Sequence, residues 1–351
     1  MPSVVHVITT AKYAGAERYV SEVARETASR GWAAAVVGGD PTRMPQALGS
    51  SVRWLPGAGP SSAVRSLARL GRHDICHAHM TLAEAAALAA RPFHRAPVVS
   101  TRHFAAPRGS TRAGRLAARW IGPRLAREIA VSDFVARRLE RPPDAVIHNG
   151  VKRAPLLWKP ENRVVLVLQR LEAEKDTVTA LRAWHLSGLA EEGWRLRIVG
   201  DGGERGSLEG LVANEGIGRV DFVGWQSDVW AEFARAGILL TAAPAEPFGL
   251  SVVEAMAVGV PVVASAAGGH LETVGALPQA RLFPPGDLPA AAGSLRSLLA
   301  DDLRADLSGS GRALAGRLFT ITRHVDALIH EYEFVIHANA TAHVTAREAP
   351  R

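Results

Sequence analysis

The chain has one cysteine, Cys76, among its 351 residues. A lone cysteine excludes a disulfide within the chain and any metal site built from several cysteines. It is also consistent with a reducing compartment. No run of about 18 or more predominantly apolar residues is free of glycine, proline and charge, so we expect no membrane-spanning helix.

The N-terminus lacks the features of a secretory signal. The apolar run from Val4 to Ile8 turns polar at Thr9 and has no basic flank. It is therefore too short for a signal-peptide core, and we expect it to be the first strand of a folded domain. These observations predict a cytoplasmic protein.

The residues that are present indicate two folded domains. Hydrophobic residues make up 47% of the chain, which is ample for two cores at this length. Apolar runs of strand length alternate with helical segments, which predicts an α/β fold with doubly wound parallel sheets. A segment punctuated by Asn149, Gly150 and two prolines, at residues 149–162, is expected to link the two halves.

The predicted elements follow the same alternation on both sides of this linker. Before it, we expect strands at residues 4–8, 36–37, 74–77, 98–101, 128–131 and 145–147, and helices at 16–29, 61–70, 82–90 and 133–139. After it, we expect strands at 164–168, 194–199, 220–223, 237–240, 260–264 and 282–283. The helices expected there are 177–189, 208–214, 229–234, 271–274, 289–299, 302–314 and 324–337.

Positive charge is concentrated in one part of the first half. The formal net charge is +7, and twelve arginines between residues 91 and 141 are opposed only by Glu128, Asp133 and Glu140. They are Arg91, Arg95, Arg102, Arg108, Arg112, Arg115, Arg119, Arg124, Arg127, Arg137, Arg138 and Arg141. Two interpretations are open: a surface for an anionic partner such as a membrane, nucleotide or nucleic acid, or helices that are simply solvated by arginine.

The most informative stretch is residues 244–259. Pro244 and Pro247 end a buried strand and force a loop. Ser251 and Glu254 have the spacing of a capping box, which predicts that a helix begins at Ser251 and ends near Gly259.

This arrangement suits a phosphorylated ligand. A helix N-terminus offers unpaired N–H groups and a partial positive charge. The backbone of Phe248, Gly249 and Leu250 is expected to face a diphosphate. The carboxylates of Glu246 and Glu254 would be repelled by that group unless they face neutral hydroxyls, such as those of a sugar and a ribose.

The same residues carry a family resemblance. Glu246 and Glu254 have seven residues between them within EPFGLSVVEAMAVGVPVVAS. They resemble the E-x7-E signature of retaining glycosyltransferases of the GT-B fold, glycosyltransferase family four or group 1. The resemblance implies two Rossmann-like domains that face each other across a cleft. It also implies that Glu246 lies beside the transferred sugar and Glu254 contacts the nucleotide ribose, although a capping-box glutamate needs no ligand.

Other residues match the family in register. Arg170 and Lys175, after the first strand of the second half, correspond to an Arg and a Lys that bind the diphosphate and offset the leaving group's charge. Gly200 ends a strand in a loop that resembles the family's turn beside the nucleotide. As a dinucleotide motif this loop is weak, because Arg205 replaces its third glycine.

Three motifs of the first half also fit the resemblance. Gly15, within Ala-Gly-Ala-Glu, corresponds to a glycine near the diphosphate or sugar. His103 corresponds to an active-site histidine that contacts the donor sugar. His77 and His79 match a common strand end, and because no third ligand is evident the sequence does not favour a zinc site there.

The chain contains no Asp-x-Asp, the motif with which many glycosyltransferases hold a divalent ion on their nucleotide. We therefore expect metal-independent transfer without a cofactor, in which the nucleotide sugar is the donor substrate. In this fold the leaving phosphate is thought to accept the acceptor's proton during front-face attack. Glu246 would then position and stabilise charge, and it would not form a covalent bond.

The combined prediction is a retaining hexosyltransferase that moves a sugar from a UDP- or GDP-linked donor to a hydroxyl acceptor. Residues 1–150 would bind the acceptor, with helix 324–337 crossing back to them, and residues 151–323 would bind the donor. The acceptor is either a lipid-linked or envelope glycan or a small metabolite. The first option would place Arg112, Arg115, Arg119 and Trp120 against an anionic membrane, with the protein peripheral on its inner face.

Two alternatives remain from other functional classes. One is a non-catalytic polyanion or nucleic-acid binder that uses the arginine-rich segment, but few aromatic residues interleave these arginines and no nucleic acid is expected. The other is a sugar-nucleotide epimerase of the same fold, which would need no acceptor.

Overall fold

The computed structural model describes residues 1–109 and 112–348. Within them the chain forms two compact units. The first contains Met1–Gly150 together with the C-terminal helix, and the second contains Val151–Thr320.

The first unit is built on a seven-stranded parallel sheet with the strand order β3-β2-β1-β4-β5-β6-β7. The strands are β1 Ser3–Ile8, β2 Ala33–Gly38, β3 Arg53–Leu55, β4 Ile75–His79, β5 Val98–Arg102, β6 Arg127–Ala130 and β7 Ala145–Val146. Most residues of β1, β2, β4, β5 and β6 are buried, because helices cover both faces of a parallel sheet. The strand order reverses between β1 and β4, and that position is where a doubly wound sheet binds its ligands.

Six helices connect these strands. They are α1 Gly15–Ser29, α2 Arg43–Leu48, α3 Pro60–Leu70, α4 Thr81–His94, α5 Arg112–Ile121 and α6 Asp133–Ala136. The predicted helix at 133–139 is wrong in length. Ser132 caps α6 by accepting a hydrogen bond from Val135 N–H at 3.0 Å, but the helix makes only about one turn.

The second unit is built on a six-stranded parallel sheet with the order β10-β9-β8-β11-β12-β13. Its strands are β8 Val164–Leu168, β9 Arg195–Val199, β10 Val220–Gly224, β11 Ile238–Thr241, β12 Val262–Ser265 and β13 Arg281–Phe283. Its helices are α7 Thr177–Ser187, α8 Arg205–Asn214, α9 Val229–Arg235, α10 Leu250–Ala257, α11 Leu288–Ser297 and α12 Asp301–Leu318. Here the strand order reverses between β8 and β11.

Two predicted helix positions in the second unit are wrong. The helix expected at 271–274 is replaced by two separate 3-10 turns, Gly268–Leu271 and Val274–Ala276, because a segment with three glycines is too short and too flexible to nucleate an α-helix. The helix expected to begin at Ser251 begins at Leu250.

The chain ends with α13, Ile321–Glu348, which packs in the first unit. Within that unit, Tyr332 of α13 is completely buried and lies against Trp32, with the ring centroids 5.6 Å apart. Glu331 binds Arg127 at 2.7 Å. Helix α13 therefore belongs to the core of the first unit.

Candidate active site

The predicted donor residues of the second unit meet where its strand order reverses. β8 and β11 are neighbours in the sheet, and β8 leads into the loop that holds Lys175. β11 leads into the loop that holds Glu246. Because both strands are parallel, these loops leave the sheet at the same edge, in the position where α/β sheets bind ligands.

An ion pair joins the two loops. Lys175 Nζ lies 2.6 Å from Glu246 Oε2, and the two side chains are only 17% and 16% exposed. Burial alone would raise the pKa of Glu246, but the charge and hydrogen bond of Lys175 hold it below its ordinary value. Glu246 is therefore a carboxylate at neutral pH. The sequence predicted both residues for this site, and the structure brings them into direct contact.

Gly268 and Gly269 pack against the backbone of the loop that contains Glu246. Gly269 N–H donates to the backbone oxygen of Glu246 at 2.8 Å. A Cβ on Gly268 would lie 2.2 Å from that same oxygen, and a Cβ on Gly269 would lie 2.5 Å from Phe248 Cα. No side chain fits at either position. The sequence analysis did not assign these glycines to the site, although the Gly-Gly pair after a strand was a usable signal.

His270 is a second residue that sequence reasoning missed. It is buried, and its Nδ1 lies 3.1 Å from Ser265 Oγ. Burial lowers the pKa of His270, although nearby Glu246 acts in the opposite direction. The imidazole ring is therefore neutral. It lies beside Gly249, and a Cβ at position 249 would lie 3.2 Å from His270 Cδ2.

The N-terminus of α10 differs from the predicted capping box. Gly249 is the N-cap, at φ +92°, and has no side chain with which to cap the first amides. Phe248 is 2% exposed and packs edge-on against Phe319, so it contributes only its backbone to the surface. Leu250 is the first helical residue. Glu254 is buried within α10, and its contact with a ribose remains a prediction.

The end of β9 closes tightly on the end of β8. Gly200 has φ +137°, and a Cβ there would lie 1.8 Å from the Gln169 backbone oxygen. Leu171 N–H donates to Asp201 O at 3.0 Å. Gly200 thus allows the loops after β8 and β9 to contact each other. This packing accounts for a glycine at position 200 without any need for a bound dinucleotide.

Arg170 and Lys175 lie in different surroundings. Arg170 binds Glu174 at 2.6 Å, and both side chains are more than half exposed. Asp176, which replaces a glycine common in the family, has φ +48° and caps α7 by accepting from Thr179 N–H at 3.3 Å. The left-handed turn after Lys175 is therefore preserved by an aspartate that tolerates this conformation.

The first unit places Gly15 at the start of α1, after β1. A Cβ on Gly15 would meet no atom within 4 Å, so the backbone there borders open space. Glu17 is 4% exposed. It accepts hydrogen bonds from Ala14 N–H at 2.9 Å and from Thr10 Oγ1 at 2.6 Å. Its carboxylate therefore fixes the loop in front of α1.

His103 follows β5 and belongs to a cluster of histidines. His103 Nε2 lies 3.1 Å from His79 Nδ1, and His79 Nε2 lies 3.2 Å from His6 Nδ1. Burial lowers the pKa of His103, as does the neighbouring His324. His77 and His79 were expected to share a strand face without a third ligand; the structure places His6 beside them. No local pattern indicates His6, because its position beside His77 depends on the register of β1 and β4.

The arginine-rich segment is largely used within the first unit. At least six of its twelve arginines have internal partners, namely Arg102, Arg108, Arg124, Arg127, Arg138 and Arg141. The interpretation of the whole segment as a surface for polyanions is therefore not supported by these residues.

Three of these arginines form a buried network with two glutamates. Glu128 accepts from Arg102 at 2.7 Å, from Arg108 at 2.6 Å and from Arg141 at 2.9 Å. Arg108 also binds Glu84 at 2.6 Å. The side chains of Arg108, Glu84 and Glu128 are completely buried, so the network stabilises the β5–β6 region.

Helix α5 retains an exposed apolar surface. Leu116 is 70% exposed and Trp120 is 46% exposed, one turn apart. Arg124 lies 4.5 Å from the centroid of the Trp120 ring. Arg115 and Arg119 are also exposed, whereas the side chain of Arg112 lies outside the described residues. In the part of the chain that the structure describes, no helix has the length and apolarity needed to cross a bilayer.

Comparison with known proteins agrees with this geometry. The model "Glycosyl transferases group 1" matches residues 150–313, and the model "Glycosyltransferase Family 4" matches residues 13–154. Glycogen synthase of Mycobacterium tuberculosis is 28% identical over 312 residues, covering 79% of this chain and 69% of that protein.

Two further similarities differ in extent. An exopolysaccharide phosphotransferase of Streptomyces coelicolor is 31% identical over 170 residues, covering 48% of this chain but only 18% of that protein. The structure of Anabaena HepE in complex with UDP and glucose aligns with a TM-score of 0.77 at 21% identity, covering 94% of this chain and 99% of that chain. The two family matches together span residues 13–313, and the alignment shows the GT-B fold. The chain therefore belongs to the group 1, family-four glycosyltransferases.

Proposed function

We propose that this protein is a retaining, metal-independent hexosyltransferase that takes a nucleotide sugar as donor and a hydroxyl group as acceptor. The Lys175–Glu246 ion pair carries this proposal. It places an ammonium and a carboxylate side by side where the second sheet reverses its strand order. This pair suits a ligand with a diphosphate and sugar hydroxyls, because an ammonium can bind the diphosphate and a carboxylate can accept hydrogen bonds from the hydroxyls.

In this proposal Lys175 binds the diphosphate. An ammonium has three N–H donors, and only one is needed for the bond to Glu246. The departing nucleoside diphosphate gains negative charge in the transition state, so a cation fixed beside it lowers the barrier. The first amides of α10 contribute in the same direction through the partial positive charge of the helix N-terminus.

Arg170 has a second role in this scheme. Its guanidinium is exposed, and among the described residues it pairs with Glu174 on the same loop, at 2.6 Å. Because an exposed i,i+4 ion pair contributes less than about 1 kcal/mol, Arg170 can exchange this partner for a phosphate at little cost. Together, Arg170 and Lys175 take the place of a metal ion on the diphosphate.

Glu246 acts by position and charge. Its carboxylate is ionised and held by Lys175 and by the glycine-supported loop. It would accept hydrogen bonds from the sugar hydroxyls and stabilise positive charge at the anomeric carbon. The proton of the acceptor would pass to the leaving phosphate, so no nucleophile from the protein is required. Glu254 would bind the ribose, and the roles of Gly15 and His103 stay predictions.

We further propose a UDP-linked donor and an acceptor presented at an anionic membrane. For the donor, the support is the similar structure of Anabaena HepE, which was solved in complex with UDP and glucose. For the membrane, the support is helix α5, where exposed Leu116 and Trp120 lie beside exposed arginines. Such a surface is typical of helices that lie in a bilayer interface.

The test begins with the donor. The full chain is screened by thermal shift against UDP- and GDP-linked hexoses, with EDTA present, and the best ligand is then used in a donor-hydrolysis assay. We expect a UDP-sugar to raise Tm and to be hydrolysed slowly without acceptor. NMR of the released sugar reports whether the anomeric configuration is retained.

Three outcomes would contradict parts of this proposal. Failure of every nucleotide sugar to bind would remove the transferase assignment for this chain. Conversion of the donor to an epimer without acceptor would favour a sugar-nucleotide epimerase. Lack of flotation with vesicles of anionic lipid would leave a small metabolite as the acceptor.

A further inference from the structure

Three buried histidines lie on one face of the first unit's sheet. His6 in β1 is paired in register with His77 in β4. His79 lies two residues further along β4, and therefore on the same face as His77. All three side chains are completely buried, and one ring nitrogen from each lies within 4.8 Å of the other two.

The spacing of two of these rings matches that of ligands on one metal ion. His6 Nδ1 and His79 Nε2 are 3.2 Å apart. Two nitrogens bound to a tetrahedral zinc ion, with bonds of 2.0–2.1 Å, are about 3.3 Å apart. His77 completes a donor set of three imidazoles, which is a set that zinc and related transition metals bind.

The outer nitrogens of two rings already have partners. His79 Nδ1 lies 3.1 Å from His103 Nε2, and His77 Nδ1 lies 2.5 Å from the Tyr332 hydroxyl. Histidines that bind metals use their second nitrogen in this way, because the outer hydrogen bond fixes the tautomer and the ring orientation. The other nitrogen of His77, Nε2, lies 2.8 Å from Thr101 Oγ1, and a metal ion bound by Nε2 would replace this hydrogen bond.

His6 is held incompletely by the protein alone. Among the residues that the structure describes, its Nε2 is a buried nitrogen without a hydrogen-bond partner. Burying a polar atom without a partner is unfavourable for folding. A bond from His6 Nδ1 to a metal ion would offset part of this unfavourable free energy.

We propose that His6, His77 and His79 bind one divalent transition-metal ion of the zinc type within the first unit. Each neutral ring keeps its single proton on the outer nitrogen and directs the lone pair of the inner nitrogen at the ion, so binding requires a tautomer change but releases no proton. This site does not depend on the donor chemistry of the second unit.

The test measures metal binding directly. The full chain, without a histidine tag, is stripped with chelator and titrated with Co²⁺, whose visible absorption reports tetrahedral coordination, and then with Zn²⁺. We expect one equivalent of Co²⁺ per chain, its displacement by Zn²⁺, and a rise of Tm with either ion. His6→Gln and His79→Gln should lose the stoichiometric absorption.

Two further variants keep the test decisive if the histidine variants fold poorly. Tyr332→Phe removes only the outer partner of His77 and should weaken Co²⁺ binding about 10- to 100-fold. His94→Gln, at a buried histidine of the same unit that bonds to Ala87 O, is the matched control and should bind Co²⁺ normally. Absence of stoichiometric binding by the folded wild-type chain, or equal binding by Tyr332→Phe, would overturn the proposal.

Discussion

Lys175 Nζ and Glu246 Oε2 lie 2.6 Å apart although the residues are 71 positions apart in the chain. Each belongs to a loop that leaves one of two adjacent parallel strands, β8 and β11. The contact therefore depends on the reversal of strand order in the second sheet. The contact pairs the Lys175 ammonium with the Glu246 carboxylate, the two charged groups to which the proposed transfer assigns the main roles.

Replacement of Glu246 should separate turnover from binding. Glu246→Gln keeps the size of the side chain but removes its charge, so we expect transfer to fall by about 100-fold or more. The affinity for UDP should be equal or higher, because Lys175 loses its competing partner. Steady-state kinetics and calorimetric titration with UDP check both parts. Unchanged turnover would contradict the role of Glu246.

Replacement of Lys175 should weaken nucleotide binding itself. Lys175→Met removes the ammonium and leaves the Glu246 carboxylate without its partner, so we expect the Kd for UDP to rise by about tenfold or more. The double variant Lys175→Met/Glu246→Gln should be more stable than Lys175→Met alone, since it removes the unpaired charge. Normal affinity for UDP in Lys175→Met would remove its diphosphate role.

The glycine support of the Glu246 loop predicts a steric effect. Gly269→Ala would place a Cβ 2.5 Å from Phe248 Cα, whereas the nearest atom to a Cβ on Gly275 is 3.5 Å away. We expect Gly269→Ala to lower both Tm and donor affinity because the loop must shift. Gly275→Ala is the control and should change neither by much. Similar Tm and affinity in the two variants would show that the loop is not held by this contact.

The buried network around Glu128 predicts a large change in stability. Glu128→Gln removes the buried charge that faces Arg102, Arg108 and Arg141, so three guanidinium groups share fewer carboxylates. Breaking one partner of a buried ion pair costs about 3–5 kcal/mol. Urea unfolding of the variant measures this loss. Glu174→Gln, in an exposed pair with Arg170, is the control and should cost less than about 1 kcal/mol.

Buried histidines predict that the protein loses stability in acid. Burial lowers the pKa of His324 to about 4, and it also lowers the pKa values of His94 and His270. Below about pH 6.5 the unfolded chain takes up protons that the folded chain does not. The free energy of unfolding should therefore fall as pH drops from about 6.5 towards 4, by about 1.4 kcal/mol per pH unit for each extra proton. Urea unfolding at several pH values measures this slope, and His324→Gln should make it shallower.

Local patterns were sufficient to predict most strands and helices. The apolar run that forms β1 and the segment that forms α7 are long, periodic and clearly bounded. The start of α10 was misplaced because Ser251 and Glu254 fit a capping box, while the observed cap is Gly249 in the left-handed region. Such a cap depends on the loop that precedes it, which the capping pattern does not describe.

The parts of the sites that the sequence did not reveal depend on contacts between distant strands. Lys175 and Glu246 were predicted by resemblance, but the glycines behind Glu246 required knowledge of how the segment after β12 packs. His6 sits in an apolar strand and has no local signal; only its register with His77 makes it part of a cluster. Arg102 and Arg108 looked like surface charge because spacing along the chain does not show burial.

The bridge between Val151 and Thr320, with Val151 N–H donating to Phe319 O at 2.8 Å, brings together the two ends of the second unit. The second unit is consequently an insertion between Gly150 and Ile321. The first unit is formed by the two chain segments on either side of it. Residues 151–320 can thus be excised as one continuous polypeptide whose termini are adjacent. The first unit, by contrast, can be produced alone only if its two chain segments are joined by a short connector.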